Sequence, residues 1–401
     1  MKNDFPIFKT YPELVYLDSA ATSQKPQKVI DAVSDFYATY NANIHRGIYD
    51  LSQSATDLFE NTRKKVADFI GAKHASEIIF TAGATEAFNF VAFGWAKKFL
   101  KKGDIIVLSE MEHHSNIIPW QQLKKEIGIE IVYLPLTKDY RLDYKNLSPN
   151  LKKKIKLVSL AHASNVLGTI NPMEEIISYF KKINSDIKIC IDAAQSVPHM
   201  QIDVAILDCD FFAFSSHKML APSGVGVLYS KKELLEEMDP FIYGSHMIDT
   251  VTKENATWAE IPDKFEPGTR NLEGVIGLGA AIDYLQEVGF EKIQKHESEL
   301  VEYTLEMFKK QKNVTLFGPN NLEDRLGVFS FAVDNVHSHD VSEVLNRSHI
   351  AVRAGHHCAQ VLMKCLGLTG TVRSSLYLYN TKEDIDRLQE GIEEVKKVFK
   401  I

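Results

Sequence analysis

Phe211–Tyr229 reads FFAFSSHKMLAPSGVGVLY. The apolar run Phe211–Phe214 leads into Ser215, Ser216, His217 and Lys218, then a Pro-Ser-Gly-Val-Gly loop and a second apolar run. Short, continuously apolar runs of this kind suit strands of a sheet covered on both faces. Open α/β sheets bind ligands beyond the carboxyl ends of their strands, so the cluster ending in Lys218 is where chemistry is expected.

The pattern recurs through the first two-thirds of the chain. EIIFTA, DIIVLSE, EIVYLPL, IKLVSLAHAS and KICIDAAQSV are short and rich in Ile, Val, Leu and Phe, and GVGVLYS closes the series. Amphipathic stretches such as Thr56–Ile70 and Met173–Asn184 accompany them. This alternation predicts an α/β sheet, largely parallel, with helices on both faces. From about Ala281 the rhythm changes. Gly289–Lys312 reads as one long amphipathic helix, GVFSFAV and HIAVRAG as strands, and Lys382–Phe399 as a final surface helix. A second, smaller α+β lobe is therefore expected, with residues 15–280 forming the large domain and residues 1–14 and 281–401 the small one. Tyr243–Asn255 and Thr257–Asn271 lack periodicity and hold Gly244, Pro262, Pro267 and Gly268, so both are expected to be loops.

Composition narrows the class. The chain has 401 residues, 45% apolar and 25% charged, ordinary values for a soluble globular protein. Its net charge of −7 argues against nonspecific binding to nucleic acid or to an anionic membrane, which need a basic surface. The N-terminus lacks the apolar core of a secretion signal, and a cytoplasmic protein is expected. The four cysteines, Cys190, Cys209, Cys358 and Cys365, are too few and too irregular for a disulfide framework or a metal knuckle. Cys190 and Cys365 sit among apolar residues and are expected in the core, and Cys209 at a strand edge.

Polar residues gather at the expected strand ends. A lone lysine in a turn is most often solvated, but apolar positions after Lys218 would desolvate it and keep its amine nucleophilic enough to form a Schiff base. Asp192 ends the KICID run and offers what a pyridoxal phosphate site needs, a carboxylate to keep the pyridine nitrogen protonated. Gly83, Ala84 and Thr85 lie between a strand and a helix start, where backbone N–H groups and the helix dipole favour an anion; Ser215 and His217 would add donors. His113 and His114 follow another strand, and a single imidazole stacked on a planar ring suits them better than a metal, since no H-x-x-x-H spacing accompanies them. Near the other end, VRAGHHCAQ places Cys358 after Arg353, His356 and His357. Contiguous side chains do not readily converge on a tetrahedral ion, so no metal is expected there.

Taken together these residues resemble the class V aminotransferase group of fold-type-I pyridoxal-phosphate enzymes, and within it the SufS-type cysteine desulfurases. YLDSAATSQKP, NIHRGIYDLS, EMEHHSNIIPWQ, HASNVLGTINP, IDAAQSVPHMQIDV, RAGHHCAQ and RSSLYLYNT are similar to family motifs in family order, as is the opening stretch. The resemblance implies a large domain with a mostly parallel seven-stranded sheet, a smaller α+β domain carrying the cysteine loop, and a homodimer. It implies that Lys218 holds the cofactor and shuttles protons, that Asp192 pairs with the pyridinium and Gln195 with the ring hydroxyl, and that His113 stacks on the ring. Thr85, Ser215 and His217 would bind the phosphate with Thr269 of the other subunit, while Arg373 and Asn165, with Arg353 nearby, would grip the substrate carboxylate. Cys358 would accept sulfur from L-cysteine as a persulfide, releasing L-alanine. The sulfur would pass to a SufE-like or SufU-like acceptor for Fe–S cluster assembly. Selenocysteine lyase and cysteine-sulfinate desulfinase share the scaffold and are the alternatives. The chain departs from the family pattern at Ala84, Ser245-His246, Arg270 and Val361.

Overall fold

The computed structural model describes all 401 residues. Seven strands form the large sheet: β1 Ile78–Thr81, β2 Ile105–Ser109, β3 Glu130–Leu134, β4 Ile155–Ala161, β5 Lys188–Asp192, β6 Phe211–Ser215 and β7 Gly226–Ser230. Their order across the sheet is β1-β7-β6-β5-β4-β2-β3, and only β7 runs against its neighbours. The seven runs read from the sequence are these seven strands. Period two sorts their side chains: Val107, Val158, Ile189, Ile191, Phe212 and Phe214 enter one core, and Ile106, Leu108, Leu157, Cys190, Phe211 and Ala213 enter the other. A sheet with a core on each face explains why the strands carry almost no polar residue before their ends.

The second sheet is antiparallel, formed by β8 Val314–Phe317, β9 Val328–Val333, β10 Arg353–Gly355 and β11 Thr371–Ser375 in the order β8-β9-β11-β10. The helices Phe290–Lys310 and Lys382–Phe399 lend apolar faces, among them Leu300, Phe308, Leu388 and Val395, to a core with Phe329, Phe331 and Val372. Val15–Tyr16, at the start of the expected large domain, pairs with Ile350–Ala351, and the helix Leu272–Val288 runs unbroken through the expected boundary at 280. Arg325 ties the parts where they meet. Its guanidinium donates to the carbonyls of Phe317, Pro319 and Val328, and its backbone bridges to Thr169.

Three expectations need correction. The segment expected as loop contains a hairpin, Ile248–Val251 paired with Ala256–Trp258, whose exposed side chains hide the alternation that marks a half-buried strand. HIAVRAG is two strands, Ile350–Ala351 and β10, because it changes partner between them. Cys365 is exposed at the end of the helix Gln360–Cys365, which turns Leu362 and Met363 inward instead, while Cys209 is fully buried. No helix is long and apolar enough to cross a membrane.

Candidate active site

The ends of β1, β2, β4, β5 and β6 open onto one cleft of about 230 Å³. Parallel register places Ala161, Asp192 and Ala213 side by side, so Asp192 rises from the floor. Ser215 ends β6, and the turn Ser216–Lys218 swings Lys218 into the cleft. Loss of water pushes the Lys218 ammonium down from 10.5 to about 8, while Asp192 opposes the shift. Burial raises the Asp192 carboxyl, with the Ala194 N–H, donated at 3.0 Å, and Lys218 pulling the other way.

On the phosphate side, the Ala84 N–H donates to Ser215 Oγ at 2.9 Å, and the hydroxyls of Thr85 and Ser115 lie 2.7 Å apart. The turn is built on glycine. A side chain at Gly226 would put a Cβ 2.4 Å from the Cα of Gly83, so β7 and the turn approach as closely as they do only without one. His113 Nδ1 accepts the Ser115 N–H at 3.1 Å, which fixes its ring; desolvation, with Lys218 next, pushes the imidazole down to about 3. It is therefore a neutral ring at neutral pH. His217 faces the cleft with its imidazole pushed down to about 4, chiefly by burial.

At the substrate end Arg373 is fully buried. It donates to the Asn165 carbonyl at 2.9 Å and to Asp18 at 3.0 Å, leaving its buried Nε without a partner. Arg353 lines the same end. The Asn165 amide donates to the carbonyl of His357 at 2.8 Å, so it reaches toward the cysteine loop.

That loop is held from several directions. The His114 N–H donates to the Cys358 carbonyl at 2.8 Å, and His114 Nε2 accepts the Gln360 N–H at 3.0 Å. The Cys358 N–H donates to His356 Nδ1 at 3.2 Å, and His357 Nε2 lies 2.9 Å from the Thr371 hydroxyl. His357 and Cys358 have φ of 52° and 56°, the left-handed region that non-glycine residues rarely enter. The thiol lines the cleft with Lys218.

The structure thus gathers Cys358, Lys218, His113, Asp192, Gln195, Thr85, Ser215, His217, Asn165, Arg353 and Arg373 in one cleft. Thr269, the remaining expected phosphate ligand, does not line this cleft and is exposed. Gln195 sends its amide N–H to the Ala20 carbonyl at 2.9 Å. Two positioning groups escaped the sequence reading. Glu112, fully buried and pushed up to about 8, accepts from Ser109, Asn116 and the Ala161 N–H, joining the ends of β2 and β4. Lys25 donates to the His217 carbonyl at 2.9 Å. A carboxylate directly before His113 was the available signal for the first.

The aminotransferase class-V family pattern matches residues 15–388. The chain belongs to the class-V aminotransferase family. Among relatives in that family, a probable cysteine desulfurase of Halalkalibacterium halodurans is 51% identical over 96% of this chain and 94% of its own length. A cysteine desulfurase of Haloferax volcanii is 43% identical over 96% and 90%. Among solved structures, the apo cysteine desulfurase of Thermococcus onnurineus NA1 superposes with a TM-score of 0.91 at 40% identity, covering 99% of this chain and 97% of that one. The Escherichia coli cysteine desulfurase CsdA, in an S-sulfonic acid form, gives 0.91 at 34% identity over 99% and 98%.

The residues present fit pyridoxal phosphate. A buried carboxylate that makes no salt bridge suits a pyridinium N–H, a neutral His113 suits a ring face, and a desolvated amine suits a carbonyl carbon.

Proposed function

We propose that this chain is a pyridoxal-phosphate-dependent cysteine desulfurase that converts L-cysteine to L-alanine and keeps the sulfur on Cys358 as a persulfide. The observation that carries the reading is the single cleft shared by Lys218, Asp192, Arg373 and Cys358. Lys218, Asp192, Gln195 and His113 would hold the cofactor's aldehyde and ring, and Thr85, Ser215 and His217 its phosphate. When bound, the cofactor supplies an electron sink that stabilises negative charge at the substrate Cα.

The chain's own groups do the rest. Arg373, fixed by Asp18 and the Asn165 carbonyl, presents its guanidinium to the substrate carboxylate, with Arg353 beside it. An amine brought to about 8 exchanges protons readily near neutral pH, so Lys218 moves the proton at Cα. The Cys358 thiolate attacks the substrate sulfur; the carbon–sulfur bond breaks as the sulfur–sulfur bond forms. The electron pair left on carbon takes a proton and completes alanine. Brief exposure to L-cysteine followed by mass spectrometry tests this: one added sulfur on Cys358 is expected, and alanine release at the wild-type rate by Cys358→Ala would overturn it.

The finer reading is a SufS-type enzyme acting as a cytoplasmic homodimer. Tyr37, Tyr40, Ile48 and Tyr49, together with Tyr243 and Trp258, expose large apolar side chains on segments that meet at His45 and His246, and such patches mark interfaces. Thr269 would reach the partner's phosphate site across this face. Light scattering of the purified protein should give twice the chain mass. The short, bonded cysteine loop supports delivery to a docking acceptor of SufE or SufU type for Fe–S cluster assembly; turnover should rise when that protein is added.

A further inference from the structure

His45, His246 and Asp263 come together from three separate segments, away from the cleft lining, and each offers a ligand atom within 4.8 Å of the others. His45 precedes the helix Asp50–Ile70, His246 lies in the turn Ser245–Met247, and Asp263 opens the turn Asp263–Phe265. The His45 and His246 rings are 5.8 Å apart.

The histidine is prepared for a ligand. His45 Nε2 lies 3.1 Å from Glu60 Oε1, and Glu60 is in turn held by Arg63 Nε at 2.9 Å. A carboxylate on Nε2 fixes the proton there and leaves Nδ1 as a lone-pair donor. That Nδ1 is buried and has no hydrogen-bond partner in the chain, which is costly for a polar atom unless something binds it. Metal-bound histidines characteristically carry such a carboxylate on the far nitrogen.

We propose that His45 Nδ1, His246 and Asp263 bind one divalent transition-metal ion of the zinc type, with Glu60 orienting His45 from behind. Two imidazoles and a carboxylate form a ligand set suited to Zn²⁺, with water at the fourth position. A tetrahedral ion with bonds of roughly 2.0–2.1 Å would set its donors about 3.3–3.5 Å apart, so the cluster closes slightly on binding. The ion ties the turn after Gly244 to the segment before the long helix. His246 occupies one of the positions where the sequence departs from the family pattern.

The test uses the cofactor-loaded protein after dialysis against a chelator. Calorimetric titration with Zn²⁺ should show one ion per chain, and titration with Co²⁺ should give visible d–d bands lacking thiolate charge transfer, which separates this site from Cys358. His246→Ala and Asp263→Asn, both at partly exposed positions, should each weaken binding at least tenfold with cofactor absorbance unchanged. Glu60→Gln should weaken it about 10- to 100-fold through His45 alone. Failure to take up Zn²⁺ at micromolar concentration, or uptake undiminished in both His246→Ala and Asp263→Asn, would overturn the proposal.

Discussion

The backbone N–H of His114 donates to the carbonyl oxygen of Cys358 at 2.8 Å, so the cysteine loop of one sheet is bonded to a strand end of the other. The His114 ring adds a second bond by accepting the Gln360 N–H. His114→Ala keeps the first bond and removes the second, worth about 0.5–1.5 kcal/mol. Alanine formation should fall roughly 2- to 10-fold with cofactor absorbance intact, and amide exchange at Gln360 should quicken. Unchanged exchange would show that the loop does not depend on this ring.

Capture of cofactor by the cofactor-free protein should depend on pH through Lys218. Below about 8 its amine carries a proton and does not attack a carbonyl, so the capture rate should climb about tenfold per pH unit and flatten above. Linkage has the matching sign. The unfolded chain holds this proton up to about 10.5, so the fold gains stability from Lys218 as pH rises between about 8 and 10.5. Stopped-flow absorbance checks the first point, with Lys218→Ala as the inert control; a flat rate between pH 6.5 and 8 would contradict it.

Arg373→Lys replaces a planar fork by a point charge. Losing one charged hydrogen bond costs about 1.5–3 kcal/mol, or roughly 10- to 150-fold in kcat/KM for L-cysteine. The loss should fall mainly on KM, since Lys218 and Cys358 are untouched. A variant with wild-type KM would remove Arg373 from carboxylate binding.

Glu266 is buried and receives both Arg63 terminal nitrogens, at 2.7 and 3.0 Å, together with the Phe80 N–H of β1 at 2.7 Å. Glu266→Gln leaves the buried Arg63 guanidinium with only the partly exposed Glu60 as a charged partner, so it should destabilise the fold by about 3 kcal/mol, the low end for a broken buried pair, read from the urea midpoint. Removing both charges with Arg63→Met and Glu266→Leu should recover much of that loss. No recovery would mean that the bond to β1 matters more than the ion pair.

Ala84 lines the phosphate end, where its N–H is already committed to Ser215. Ala84→Ser adds a hydroxyl there. The cofactor's dissociation constant, measured by equilibrium dialysis, should fall about 2- to 10-fold, in proportion to one hydrogen bond of about 0.5–1.5 kcal/mol. Equal or looser retention would place Ala84 outside the phosphate's reach.

Strands such as β2 and β6 were legible because both faces are buried, which leaves no polar residue to blur the run. Lys218 and Asp192 were legible because strand ends are where an α/β sheet must place its chemistry. Cys365 was misread because VLMKCLG is apolar in composition, yet the short helix at Gln360 shows only part of it to the core. The hairpin at Ile248 was hidden because neither strand has a buried face to impose a period. Glu112 was passed over because its role depends on full burial and on the bond from the Ala161 N–H of another strand, neither of which its neighbours in sequence reveal.

His357 and Cys358 keep left-handed backbones, and both carbonyls are bound from the large-sheet side, by Asn165 and His114. A thiol mounted this way is a berth and not a ferry. Under the proposed reaction and the proposed delivery to an acceptor, the sulfur it carries would wait in place, and throughput would be set by how often that acceptor calls. The same stillness limits leakage, since a stray thiol must find the cleft before it can take the cargo.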